Sequence, residues 1–172
     1  MFWALVVIGS LAGLVVPVAV LGALLPRHHT ASRRARFNRP VAEIWKAITD
    51  IEAFPSWRKD LASVERLPDR EGRPVWREIG KFGAMTLETV DLRPPTRLVG
   101  RIADNHAAFG GSWTYELTES DGGTVLAITE NGEIHNPVFR FLSKFVFGHS
   151  ATLDGYLKSL GRKFGEEVVT RP

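Results

Sequence analysis

The chain has 172 residues, a formal net charge of +3 and no cysteine. Disulfides, thiolate metal sites and cysteine nucleophiles are therefore excluded, and once an apolar leader of about 25 residues is set aside the remainder makes one ordinary domain. The basic residues are concentrated, with Arg27, Arg33, Arg34, Arg36 and Arg39 following that leader directly.

Phe2 to Leu25 carries no charged residue. As a helix it would reach about 36 Å, enough to cross a hydrocarbon core of about 30 Å. No Lys or Arg precedes it, and Leu24-Leu25-Pro26-Arg27 makes a poor cleavage site, so a retained anchor is expected in preference to a signal peptide. Pro17 and Gly22 are compatible with a membrane helix, and Gly9 and Gly13 have the small-xxx-small spacing of helix pairing. Positive charge on the C-terminal flank alone predicts a single-pass membrane protein with a cytoplasmic domain. Arg27, Arg33, Arg34 and Arg36 are expected to meet anionic headgroups. No nucleic-acid-binding module accompanies the charge. The expected division is an anchor over 1–26, a basic linker over 27–30, a domain over 31–168 and a tail over 169–172.

Ser32 to Phe37 reads as a first strand. Asn38-Arg39-Pro40 opens a helix, with Glu43 in its first turn and Val41, Ile44, Trp45 and Ile48 on one face. Asp50 to Phe54 reads as a second short helix stopped by Pro55, with Trp57 closing the segment. Strands and turns follow: a hairpin loop at 68–72, strands over 74–79 and 84–92, a break at Pro94-Pro95, and a strand over 96–103. Trp113, Tyr115 and Leu117 alternate with Thr114, Glu116 and Thr118, a period of two. After the Asp121-Gly122-Gly123 turn, Leu126, Ile128, Glu130 and Ile134 share a face, with Gly132 marking a bulge.

Asn136-Pro137 has the form of a helix start. From there Leu142, Phe145, His149, Leu153, Tyr156, Leu160 and Phe164 follow a 3–4 spacing, which predicts one long amphipathic helix to about Gly165. Its first half is apolar nearly all round. That half is either buried on several sides, or it meets the membrane or gates a cavity.

This order is a strand, two short helices, six strands and a long C-terminal helix. It resembles the SRPBCC superfamily, which includes START lipid-transfer domains, polyketide cyclase/dehydrase-like proteins and birch-pollen-allergen-like proteins. RPVAEIWKAITDIEAFPSW (39–57) resembles the superfamily's opening, PPTRLVGRI (94–102) its strand after a proline break, and GSWTYELTESDGGTVLAITENGEI (111–134) its penultimate hairpin. The resemblance covers residues 31–165. It implies an α+β helix-grip fold, in which a curved antiparallel sheet of about seven strands holds the C-terminal helix. It also implies an apolar cavity between them suited to lipids, quinones or polyketide-like rings. The superfamily has no universal catalytic residue, and the N-terminal span is this chain's addition.

The expected cavity lining is Trp113, Tyr115, Leu126, Ile128, Glu130, Phe145, His149 and Leu153. Glu130 on the inner face either pairs with an arginine or lies at the rim, or else it serves a ligand headgroup or acts as a base. His149 is either a satisfied core residue or a polar contact and acid partner for Glu130. Trp113 and Tyr115 are core residues with polar handles. His106 is a loop residue, solvent-exposed or at a pocket mouth. No two histidines have metal-ligand spacing on one element, and no phosphate-binding glycine loop or nucleophile elbow is present. No metal and no cofactor are expected. The function expected first is membrane-tethered binding or transport of a hydrophobic small molecule. A cyclase/dehydratase-type enzyme using Glu130 and His149 is the second reading, and a domain binding a protein partner is the third.

Overall fold

The computed structural model describes residues 15–81, 83–104 and 109–172. The expected span Phe2–Leu25 and its Gly9/Gly13 pair begin outside these residues, and His106 lies outside them too. Within them, residues 15–24 form helix α1. Among the described residues no helix is long and apolar enough to cross a membrane.

Seven antiparallel strands make one sheet: β1 (His28–Phe37), β2 (Leu61–Arg70), β3 (Arg73–Gly80), β4 (Gly83–Arg93), β5 (Arg97–Ile102), β6 (Phe109–Ser120) and β7 (Gly123–Ile134). Their spatial order is β1-β7-β6-β5-β4-β3-β2. Tight turns explain the sequential pairings. Glu71-Gly72 and Asp121-Gly122 adopt positive φ between β2/β3 and β6/β7, and the Pro94-Pro95 bond between β4 and β5 is cis. β1 begins four residues before the expected Ser32 and absorbs the segment read as a linker. The reason is a partner: His28 to Phe37 pairs residue by residue with Glu133 to Thr124.

On one face of the sheet lie α2 (Val41–Thr49), a 3-10 turn (Ile51–Ala53), α3 (Phe54–Trp57) and α5 (Ala151–Lys163). α2 buries Val41, Ile44, Ala47 and Ile48. Pro55 does not stop a helix; it stands in the first turn of α3, where its missing N–H costs nothing. α5 buries Leu153, Leu157 and Leu160 against Phe37, Leu126 and Ile128. Each fully buried aliphatic side chain contributes roughly 1.5–3 kcal/mol by area burial.

The single long C-terminal helix is not formed. α4 (Pro137–Leu142) runs into a π-helical turn (Ser143–Phe147), and Gly148, at φ +74°, breaks the chain before α5 begins. The 3–4 spacing is real but spans two helices, because Gly148 takes a left-handed conformation that a helix interior cannot use. Asn136 does start α4 as expected, its side chain accepting from the backbone N–H groups of Val138 and Phe139.

After α5 the chain doubles back. Arg34 and Arg171 exchange backbone hydrogen bonds of 2.9 and 3.0 Å, which cover part of the outer edge of β1. Two of the four arginines expected at headgroups are engaged at home. Arg33 pairs with Asp154, and Arg36 donates to Asn38 and to the carbonyl of Asp121. Both lie on β1 as expected, and its pairing with β7 sets their side chains beside the domain's own acceptors. Arg27 and Arg34 remain exposed.

Candidate functional site

Alternation along β7 puts Leu126, Ile128 and Glu130 on the face that meets α5. Leu126 and Ile128 are sealed in the core. Glu130 pairs across the sheet with Trp113 on β6 and Ala31 on β1. The expected bulge at Gly132 is absent, since the registers with both neighbours run unshifted from Gly123 to Ile134. The glycine has another reason: a Cβ there would overlap the ring of His29, so Gly132 leaves room for an imidazole lying across the strand.

The Glu130 side chain is 13% exposed and has three partners. Oε2 accepts from the Trp113 indole N–H at 3.0 Å and from the Thr152 hydroxyl at 3.2 Å. Oε1 lies 3.3 Å from Nε2 of His29. The His29 ring stacks on His149, with centroids 4.1 Å apart and planes inclined by 23°. His149 in turn places Nδ1 3.0 Å from Oγ of Ser143. Because helix α5 starts only at Ala151, His149 stands in the break before it and not on the helical stripe predicted for it. Its pKa is held below the ordinary imidazole value. Burial is the first cause, and the charges of His29 and Lys144 add to it against the opposing pull of Glu130.

Beside this cluster a pocket of about 270 Å³ is lined by Leu25, Pro26, His28, His29, Ile134, Arg140, Lys144 and His149. Arg140 on α4 is 8% exposed. Its Nη1 donates to the carbonyl of Leu25 at 2.8 Å, near the end of α1. A Cβ on Gly22 would overlap the Pro137 carbonyl, so α1 and α4 meet backbone to backbone.

One turn along α5 is a second polar group. Arg58 donates to Glu78 and to Asp60, both at 2.8 Å, and Trp76 donates to the same Glu78 oxygen at 3.2 Å. Tyr156 packs on Tyr115 and edge-on to Trp57, with Arg58 over its ring. Burial raises the pKa of both tyrosines, which bond to each other.

The eight expected lining residues therefore separate. Glu130, Trp113 and His149 come together. Leu126, Ile128 and Leu153 are core, and Tyr115 is partly buried in the aromatic group with Tyr156. Phe145 is 61% exposed and leans on Phe141; the π-turn rotates it off the stripe shared with Leu153. Sequence reasoning missed His29, Arg140, Ser143 and Thr152. Extending the strand alternation back from Ala31 would have found His29. Arg140 was signalled only as the lone cation between Phe139 and Phe141.

Similar folds are known. The chain superposes on a START superfamily protein from Mycobacterium smegmatis with TM-score 0.64 at 17% identity, covering 78% of this chain and 96% of that one. For the Zhui aromatase/cyclase from Streptomyces sp. R1128 the TM-score is 0.63 at 17% identity, covering 81% and 99%. For the Mll3558 protein from Rhizobium loti it is 0.60 at 25% identity, covering 79% and 96%. No curated protein matches the chain. The helix-grip fold agrees with a family model described as "Polyketide cyclase / dehydrase and lipid transport", which matches residues 28–164, and the chain belongs to that family.

Proposed function

We propose that this protein binds or carries a hydrophobic small molecule beside a membrane, tethered there by Phe2–Leu25 with its domain on the cytoplasmic side. The family's fold is compatible with hydrophobic ligands. The observation that carries the reading is where exposed apolar side chains collect. Val15, Val16, Val20, Leu21 and Leu24 of α1 are exposed, and so are Phe139, Phe145 and Val146 on α4 and the π-turn against which α1 rests. The pocket opens between these elements, with Leu25, Pro26 and Ile134 as apolar wall. Large contiguous apolar exposure is uncommon on a soluble monomer and marks a contact surface. Arg27 and Arg34 supply positive charge on the flank expected to be cytoplasmic.

An enzyme of the cyclase/dehydratase type is the second reading, favoured by the adjacency of Glu130, His29, His149 and Ser143. A general base needs a free lone pair aimed at substrate. Trp113 and Thr152 donate to one Glu130 oxygen and the His29 ring stands 3.3 Å from the other, which suits a fixed scaffold better than a base.

Mass spectrometry of molecules co-purifying with the detergent-extracted full chain tests the first reading. A hydrophobic species enriched over a detergent blank, and depleted by Trp113→Ala, is the expected result. Equal recovery from blank and protein would overturn it. Resistance to carbonate extraction tests the tether, and release into the soluble fraction rejects it. Turnover of a carbonyl substrate that disappears in Glu130→Gln with binding intact would favour the enzyme.

A further inference from the structure

Arg140 is buried and the Arg58 side chain is 14% exposed, and of the two only Arg58 has a counter-ion among the described residues. Arg58 meets the carboxylates of Glu78 and Asp60. Arg140 is more buried, yet among the described residues its partners are backbone carbonyls alone: Leu25 at 2.8 Å, and Ala23 and His135 at 3.5 Å. The Ala23 and Leu25 carbonyls lie at the C-terminal end of α1, where a helix dipole supplies only about half an elementary charge. Part of the guanidinium charge is left uncompensated, and a charge kept from water without a counter-ion is costly.

The unsatisfied part of Arg140 is also chemically specific. Its Nε is buried without a partner, and its Nη2 has only the long contact to His135. Nε and Nη2 together form the edge with which a guanidinium grips a carboxylate or phosphate through two parallel hydrogen bonds. A second buried nitrogen without a partner, Nδ1 of His29, belongs to a residue lining the same pocket. Lys144, His28 and His149 complete the polar wall, and among the described residues no acidic side chain lines it. The nearby carboxylates stand behind the wall, Glu130 beside Nε2 of His29 and Glu133 beside His28 and His135. At about 270 Å³ the pocket falls just below the range of roughly 300–1,000 Å³ that encloses a drug-sized ligand, so it fits a headgroup and not a whole lipid.

We infer that this pocket holds the oxyanion head, phosphate or carboxylate, of an anionic amphiphile. Arg140 grips it with Nε and Nη2, Lys144 completes the cradle, with His29 joining only when its ring carries both protons, and the apolar tail leaves along Phe139, Phe145 and Val146. The tail's course rests on the binder reading above; the oxyanion site itself does not.

The test titrates the full chain, in a neutral detergent, with phosphatidylglycerol, phosphatidylcholine, oleate or inorganic phosphate, and reads bound mass by native mass spectrometry. Phosphatidylglycerol and oleate should bind at least about ten-fold more tightly than phosphatidylcholine. Arg140→Gln should remove that preference. Because this change could loosen the α1–α4 contact, Lys144→Gln, at an exposed position, serves beside it and should lower the preference about three-fold. Millimolar inorganic phosphate should leave the bound lipid in place; full displacement would assign the site to a free oxyanion and overturn the lipid source. Equal binding of phosphatidylglycerol and phosphatidylcholine would overturn the inference while leaving the binder reading intact. Binding of phosphate with no lipid bound at all would reject the binder reading and keep the oxyanion site.

Discussion

Thr152 and Tyr156, one turn apart on α5, touch two polar groups that differ in how completely they are satisfied. Around Tyr156 the Arg58 guanidinium has two carboxylates and the tyrosines bond each other, and the Trp57 indole nitrogen is the one buried polar atom there without a partner among the described residues. Around Thr152 the carboxylate has three partners, but Nδ1 of His29 and Nε of Arg140 are, among the described residues, left without partners beside an open pocket. A polar group buried for structure is satisfied from within, because leaving it otherwise costs about 1–3 kcal/mol per hydrogen bond. A group left unsatisfied next to a cavity is the better candidate for a site whose missing partner comes from outside. The comparison assigns structure to the Arg58 group and binding to the Arg140 group.

The largest expected effect lies in the first group. Glu78→Gln removes the carboxylate that Arg58 and Trp76 share, leaving Arg58 with only the more exposed Asp60. Breaking a buried pair by neutralising one member costs about 3–5 kcal/mol. Part of the charge compensation survives, so the lower end is expected. Glu130→Gln should cost about 1 kcal/mol, because an amide oxygen still accepts from Trp113 and the site borders a pocket. Urea unfolding of the two variants checks the contrast. Similar losses at both positions would remove the distinction between the groups.

A smaller effect separates ring placement from backbone fit. Gly132→Ala puts a methyl into the His29 ring, which can swing away. Gly123→Ala drives its methyl against the Phe37 carbonyl, which is held in the β1–β7 ladder. Overpacking of this kind costs about 1–3 kcal/mol, with Gly132→Ala expected near the bottom and Gly123→Ala near the top. Only Gly132→Ala should also move the His149 imidazole resonances in an NMR spectrum, since it breaks the 4.1 Å stack. A larger stability loss for Gly132→Ala, or unshifted His149 signals, would contradict the wedged-ring account.

The strands were legible because each carries its own signal. Period two along Trp113, Tyr115 and Leu117, and along Leu126, Ile128 and Glu130, placed the correct residues on the inner face. The glycine turns placed the hairpins. What failed to read was whatever depends on contacts across the chain. His28 and His29 look like linker until Glu133 and Gly132 are known to pair with them, about a hundred residues away. Gly148 looks tolerable within a helical pattern, because spacing alone records where side chains recur and not where the backbone turns left-handed. Arg140 has only a long contact to the His135 carbonyl within its own segment; its other acceptors, on Ala23 and Leu25, come from the other end of the chain.

The smallest expected effect is a pH dependence at the open group. His149 is held below its ordinary pKa, first by burial and then by the charges of His29 and Lys144, with Glu130 opposing. As pH falls from about 6.5, the unfolded chain takes up the proton before the folded one does. The contribution of neutral His149 is therefore complete above the unfolded pKa and is lost as pH falls through the folded one. The residue is partly exposed, so screening keeps the effect well under about 1 kcal/mol. Melting curves of the full chain and of His149→Gln, taken between about pH 7.5 and pH 5, isolate it. The melting-temperature advantage of the parent should shrink toward acid; a constant gap would show that the His149 proton is not linked to folding, and a widening one would reverse the sign. Added phosphatidylglycerol sharpens the comparison further. A negative head in the pocket that His149 lines would favour the protonated ring and raise its folded-state pKa. Acid would then cost the lipid-bound parent less than the lipid-free parent, whereas phosphatidylcholine, with no net charge, should leave the pH profile where it was.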